Sequence, residues 1–474
     1  MAKRQLIFID IDGILPDVLY EALDDPASNV SKLGGRGLRA EKAVSVFPAV
    51  TLSCQASMFT GVYPARHGVV GNLWFDRHSN PPLYRRYTDA KTAAGVYGFG
   101  LVGWPTIILP ERPELMYANN DLSKDVKLIY EAAAEKGMAS WQVFNQYSRG
   151  VSKWIRPSRP EMILFALCHE ELVHNKRWDR ATFRHLFKEM RKGELPDILV
   201  FYISGHDNNS HENGPETQRD YFRKYVDPLF GDFICELEKH RPIDEFHFVI
   251  TADHCQAKMV RDKKYIITNE ELAEIFAGVP GGGYKLFDRK TVREGDTAVV
   301  CAEAGAAQVH LMNRTTGKWG DQPRFEEDLI PAVETLGKCK RSEKKYIDII
   351  LVRREFGADY EVYEDGNLIK LEKYFEGKDA VYPDAVERIR GVSCEKSGDL
   401  TVLVDFSTGY YFGDKVKAGE HGNLRFEDSM IPFVVSGPGI PDKTIPFARL
   451  VDLAPTVAKI MGFDMSGADG KSVL

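Results

Sequence analysis

The chain has 474 residues, with 62 Lys+Arg against 69 Asp+Glu, a net charge of −7, 43% hydrophobic and 28% charged residues. That balance excludes a chain disordered throughout, and the lack of a fixed period excludes collagen, coiled-coil and short-repeat architectures. A mildly acidic surface has no general attraction for a polyphosphate backbone, so general nucleic-acid binding is not expected, although bound metals can reverse the field locally around an anionic substrate.

In chain order, the first apolar run is Leu6–Ile11, a strand of the kind buried on both faces. It is too short for a signal-peptide core, Asp10 interrupts it, and no later stretch approaches the roughly 20 apolar residues of a membrane helix. Ser123–Lys136 reads as a helix, with Val126, Ile129, Tyr130 and Ala133 on one face and Gly137 at its end. A second strand is expected at Ile198–Ile203, then a long amphipathic helix over Pro215–His240 kinked by Pro228, then a third strand at His247–Thr251. Asn269–Ala277 reads as a short helix capped by its Asn. Gly281-Gly282-Gly283 then opens a segment with β-like pieces at Thr297–Cys301, Gln308–Leu311 and Ile347–Val352 and a charge run at Lys338–Lys345. Further strands are expected at Thr401–Val404 and Pro432–Val435, and a last helix at Asp452–Met461 before Gly462.

Strands alternating with helices give an α/β fold, a mostly parallel central sheet with helices on both faces. The organisation expected is a catalytic core from residues 1–280 and 419–474, with a smaller α+β insert or cap at about 281–418. Seven cysteines (Cys54, Cys168, Cys235, Cys255, Cys301, Cys339 and Cys394) are scattered, odd in number and without C-x-x-C spacing, which reads as reduced thiols in a cytoplasmic protein.

Polar clusters follow the expected strand ends, where α/β sheets bind ligands. Asp12-Gly13 follows the first strand, Asp207 and His211 the second, and Asp253-His254 the third. His421 lies in a Gly-flanked turn, and Thr51 stands at the start of an expected helix, where free amides and the helix dipole favour an alkoxide or a phosphate. Each has an ordinary alternative: a capping Asp or Thr, a surface His, a turn residue. Together they bring three Asp, three His and one Thr to one crevice, the donor types of two zinc sites with about three protein ligands each. A bimetallic site holds the attacking and leaving oxygens of an in-line displacement.

At this point the sequence resembles the alkaline phosphatase superfamily, and within it the type I phosphodiesterase/nucleotide pyrophosphatase family. The resemblance rests on Asp12-Gly13, the span from Thr51 to Thr60-Gly61, Y-P-x-x-H-G at Tyr63 to Gly68, Asn72, Phe75-Asp76, Tyr202 with Asp207 and His211, Gly214-Pro215, Asp253-His254 and His421-Gly422, in the family's order. It implies Thr51 as a nucleophile passing through a phospho-threonine intermediate. It implies one zinc at Asp207, His211 and His421 and another at Asp12, Asp253 and His254, other divalent metals being alternatives. Asn72 would donate to a phosphoryl oxygen, and Trp74, Phe75 and Tyr202 would flank the leaving group, unless they are core aromatics. The chain departs from the family pattern at His206, where Pro is usual, and at Ser210, where Gly is usual.

The function expected is hydrolysis of a small-molecule phosphodiester or pyrophosphate. A diester is preferred over a monoester because the nearest sequence cations to Thr51 are Lys42 and Arg66, while Leu73, Trp74 and Phe75 follow Asn72. A sulfatase is disfavoured by the missing C/S-x-P-x-R motif, and a cofactor-independent phosphoglycerate mutase would use Ser. A phosphonate hydrolase is the alternative if Arg149 and Lys153 bind a substrate carboxylate, and a phosphomonoesterase is another. From a different class, the alternative is a catalytically silent metal-binding or interaction domain.

Overall fold

The structure is a computed structural model and describes residues 4–87, 101–102, 107–108, 117–156, 158, 160–161, 176–287, 294–341 and 344–474. Its centre is an eight-stranded sheet. Across the sheet the strands run Lys443–Arg449, Leu38–Val44, Phe433–Ser436, His247–Thr251, Leu6–Ile11, Ile198–Ile203, Ser140–Val143 and Lys153–Ile155. Phe433–Ser436 is antiparallel to both its neighbours, and the other pairings are parallel, so seven strands point one way. The three central strands, Leu6–Ile11, Ile198–Ile203 and His247–Thr251, are buried along their whole length, as their continuous apolar runs require. They have the bounds expected from sequence. Asp12, Asp207 and Asp253 follow their carboxyl ends directly. The antiparallel strand enters the sheet from the same edge, which brings the preceding His421 loop there too.

A second, wholly antiparallel sheet of six strands runs Ala298–Glu303, Ala306–Leu311, Leu400–Val404, Ile347–Val352, Glu361–Glu364 and Asn367–Lys370. Its apolar core includes Val300, Val309, Val352 and Val402 and takes in Met259, Ile266, Leu272 and Phe276 from the chain before residue 281. The helix Ala385–Val392 is stitched back to the larger core by Arg388. That buried guanidinium donates to the Leu424 carbonyl at 2.9 Å, the Val46 carbonyl at 3.3 Å and Ser429 Oγ at 2.6 Å.

The helices depart from the sequence pattern for local reasons. Only Ile129–Ala134 of the expected Ser123–Lys136 is helical. Arg149 donates to the carbonyls of Leu122, Ser123 and Val126, so that segment bonds to a side chain instead of to helical amides. Pro215–His240 is divided into a 3₁₀ turn at Pro215–Thr217, a short helix at Gln218–Tyr221, a π-helical turn at Phe222–Val226 and a helix at Asp227–Leu237. Pro228, which has no amide to give, follows the π-turn. Asn269–Ala277 is helical as expected, but its cap is Thr268, whose side chain accepts the Glu271 amide. The described cysteines are free, and Cys168 lies outside the described residues. Among the described residues, no helix is long and apolar enough to cross a membrane.

Candidate active site

Thr51 opens the helix Thr51–Thr60, and the capping position before it is held by Val50, which makes no side-chain cap. The hydroxyl is therefore not spent on capping. Thr51 Oγ1 lies 3.2 Å from His254 Nε2. The next amide, Leu52 N, donates to Asn72 Oδ1 at 2.9 Å, and the Leu52 carbonyl accepts the Tyr147 hydroxyl at 2.9 Å. The first turn of this helix is held in place on both sides, close to Asn72.

Three imidazoles converge beside it. Each turns Nδ1 to a backbone carbonyl: His211 to Gly419 at 2.7 Å, His254 to Cys255 at 3.1 Å and His421 to Ala49 at 2.8 Å. A carbonyl only accepts, so Nδ1 carries a proton in each and Nε2 is turned inward as a ligand atom. His254 Nε2 is 3.4 Å from Asp12 Oδ1 and 3.5 Å from Asp253 Oδ2. His211 Nε2 is 3.3 Å from Asp207 Oδ2, and His421 Nε2 is 3.8 Å from Asp207 Oδ1. The His254 and His421 rings stack with centroids 3.7 Å apart. Among the described residues, the donors fall by proximity into three overlapping groups, Asp12–Asp253–His254, Asp207–His254–His421 and His211–Glu420–His421, each within 4.8 Å.

The electrostatics suit a cation. Burial, with the Asp253 and Asp207 carboxylates, pushes Asp12 well above the usual range. Burial lifts Asp253 to about 6 and lowers His254 and His421 to about 4. For His211 the burial is outweighed by Asp207 and Glu420, which raise it to about 9, and the same attraction holds Asp207 below the carboxylate range despite burial. Asp12 Oδ1 and Asp253 Oδ2 are buried without a hydrogen-bond partner. Unpaired carboxylate oxygens facing imidazole Nε2 atoms fit a divalent ion with oxygen and nitrogen ligands, such as zinc, which competes with the His211 proton.

A family model for type I phosphodiesterase/nucleotide pyrophosphatase matches residues 6–421. The chain belongs to this family. It is similar to the alkaline phosphatase PhoV of Synechococcus elongatus, at 22% identity over 93% of this chain and 87% of that protein. It is 23% identical to mouse ectonucleotide pyrophosphatase/phosphodiesterase family member 7, over 53% of this chain and 50% of that protein, so this match spans half of the mouse relative. In fold it resembles murine ectonucleotide pyrophosphatase/phosphodiesterase 5, with TM-score 0.63 and 13% identity, covering 99% of this chain and 98% of the other. An inactive threonine-to-alanine variant of that protein, solved in complex with AMP, superposes with TM-score 0.63 at 12% identity over 99% and 97% of the two chains. Membership places the chain among hydrolases of phosphodiester or pyrophosphate bonds.

Within this type I phosphodiesterase, the six carboxylate and imidazole residues singled out from sequence lie together beside Thr51, with Asn72 one hydrogen bond away. The aromatic residues are placed differently. Trp74 is 2% exposed and Phe75 0% exposed, so neither offers a face to a leaving group. The Trp74 indole donates to the Tyr87 hydroxyl at 3.1 Å, and Phe75 packs with Phe287, Val299 and Cys301. Strand alternation sends the two rings into opposite interiors. Tyr202 is also buried, and its hydroxyl donates to Asp12 Oδ2, which makes it a partner of a candidate ligand instead of a stacking surface. Arg149 is engaged with Glu131 and three carbonyls, and Lys153 with Glu189, on the edge strand of the sheet. Asp10 accepts from Gln55 at 3.0 Å inside the first strand. Sequence reasoning missed Gln256, which donates to Asp207, and Glu420, 3.5 Å from His211 Nδ1. Both stand within two residues of a recognised His, which was the available signal.

Proposed function

We propose that this enzyme is a two-zinc hydrolase that cleaves phosphodiester or pyrophosphate bonds through a covalent phospho-threonine intermediate on Thr51. The observation that carries this reading is the uncapped Thr51 hydroxyl 3.2 Å from His254 Nε2, at a helix N-terminus flanked by the six metal-type ligands. Asp12, Asp253 and His254 would hold one zinc, and Asp207, His211 and His421 the other. Bound zinc supplies the Lewis acidity that lowers the pKa of a hydroxyl beside it and neutralises charge on a phosphoryl group. Thr51 Oγ1, its proton given up to solvent, would then attack phosphorus, the new Oγ1–P bond forming as the bond to the leaving-group oxygen breaks and that oxygen departs with the electron pair and takes up a proton from water. Water attacks the phospho-threonine in a second in-line step and returns the hydroxyl. With Asn72 Oδ1 committed to the Leu52 amide, its NH₂ is the group left to donate to a phosphoryl oxygen as charge develops.

A diester is the favoured substrate because, of the cations singled out in the sequence, Lys42 is exposed on the strand Leu38–Val44 and the other three are committed to carboxylates. Arg66 pairs with Asp469 at 2.5 Å, Lys153 with Glu189 at 3.0 Å, and Arg149 with Glu131 at 3.0 Å. The same pairings remove the support for a phosphonate hydrolase. A phosphomonoesterase is the second reading, favoured by the near full-length similarity to an alkaline phosphatase. The AMP bound to the murine neighbour supports a nucleotide-like phosphate ester as the substrate class.

The test measures zinc content and turnover of bis(4-nitrophenyl) phosphate together. Wild type should carry two zinc per chain and turn over the diester. Thr51→Ala should keep both metals and lose about 10³-fold or more in kcat, while Thr51→Ser retains measurable activity. Metal binding with no Thr51-sensitive turnover would reduce the protein to a silent metal-binding domain.

A further inference from the structure

The six-stranded sheet sends one hairpin into the active site. Its strands Ala298–Glu303 and Ala306–Leu311 are joined by Ala304-Gly305, with Ala304 at φ 42, a left-handed conformation unusual for a residue bearing a Cβ. The turn is fixed from outside by the Phe412 amide, which donates to the Ala304 carbonyl at 2.8 Å. On one side, Gly305 N donates to the His421 carbonyl at 3.1 Å and the Gly305 carbonyl accepts Asn423 Nδ2 at 3.0 Å. On the other, the Glu303 carboxylate accepts the amide of Leu73, the residue next to Asn72, at 2.6 Å. Glu303 is only 9% exposed, and a Cβ on Gly71 would lie 2.6 Å from its Oε2. The hairpin tip therefore touches both the His421 loop and the Asn72 loop.

We propose that Glu303 is a positioning residue for Asn72, and that this hairpin tip is what the insert contributes to catalysis. The inference rests on the reading of Asn72 as the donor to the phosphoryl oxygen. Burying a carboxylate is costly, and here it is held between the Leu73 amide and the backbone at Gly71, the two residues that flank Asn72. Contacts on both sides of Asn72 set where its side chain stands over the first turn of the Thr51 helix. A shift of about 1 Å in such a donor is enough to cost about 10²-fold in rate.

The experiment is a double-mutant cycle on the zinc-loaded enzyme, with bis(4-nitrophenyl) phosphate as substrate and orthovanadate as a phosphoryl mimic. Glu303→Ala should lower kcat/KM about 10- to 100-fold and weaken vanadate binding, with zinc content unchanged. Glu303→Gln keeps one acceptor oxygen and should fall between wild type and Glu303→Ala, with the melting temperature of wild type. In the Asn72→Ala background, Glu303→Ala should have no further effect beyond about twofold. Additive losses in the double variant, or wild-type activity in both Glu303 variants, would overturn the inference and leave the Thr51 reading standing. A wild-type protein that neither hydrolyses the diester nor binds vanadate would overturn the Thr51 reading, and this inference with it.

Discussion

Thr51 and Phe75 illustrate how little a residue's type says before its surroundings are known. A Thr at a helix start is ordinarily a cap, yet here the cap position belongs to Val50 and the hydroxyl is turned to His254. Phe75 sits three residues after Asn72, where a substrate-stacking ring was expected, yet its ring centroid is 5.0 Å from Trp319 and 5.4 Å from His310 in an interior cluster. Phe75→Ala should therefore cost about 3–5 kcal/mol of stability and leave the ratio of diester to monoester kcat/KM unchanged. Chemical unfolding and a two-substrate assay check this. A changed ratio with unchanged stability would return Phe75 to the substrate pocket. The strand Leu73–Asp76, whose alternation separates Trp74 from Phe75, was not read from the sequence, where the two rings were placed together. The second sheet packed against that strand was equally hidden, because the contact depends on residues more than 200 positions away.

The helix Gly205–Asn213 presents Asp207 and His211 from one turn to the next, and it is the element where the family's usual proline is replaced by His206. Its start is held by Asp179 on the helix Lys176–Met190: Oδ1 accepts the Gly205 amide at 2.8 Å and Oδ2 the Tyr221 hydroxyl at 2.8 Å. A Cβ at Gly205 would lie 2.3 Å from Asp179 Oδ2, so glycine is required by close approach. Burial pushes the Asp179 carboxyl up to about 7. An unfolded Asp releases its proton near pH 4, so between about pH 4 and pH 7 the folded state holds a proton the unfolded chain has lost. The stability from that proton is fully present below about pH 4 and is lost as pH rises through about 7. Asp179→Asn keeps an acceptor for Gly205 and removes the titration, so its stability should fall less than that of wild type across this window. Melting temperatures measured in parallel across that range test this, and parallel profiles for the two proteins would contradict it. No sequence pattern pointed to Asp179. Arg149 was noticed for a different role: its bonds to three carbonyls shorten a helix that apolar spacing alone extends to Ser123–Lys136.

At the scale of the molecule, the eight-stranded sheet explains why a chain of mildly acidic charge gathers Asp12, Asp207 and Asp253 in one place. Parallel strands share a carboxyl edge, and the antiparallel strand Phe433–Ser436 delivers His421 to it from the other direction. The shared edge was readable, because strands buried on both faces announce themselves as continuous apolar runs, whereas the reversed direction of Phe433–Ser436 was not. The engagement of the six-stranded sheet with the site was not, since a two-residue turn at Ala304-Gly305 carries no chemical signature of its own. The central claim is that Thr51 is a covalent nucleophile within this assembly. The most direct measurement is the stereochemical course at phosphorus, using a chiral phosphorothioate diester hydrolysed in isotopically labelled water. Two in-line displacements each invert, so the account predicts net retention. Net inversion would mean that water attacks phosphorus directly and that Thr51 forms no intermediate.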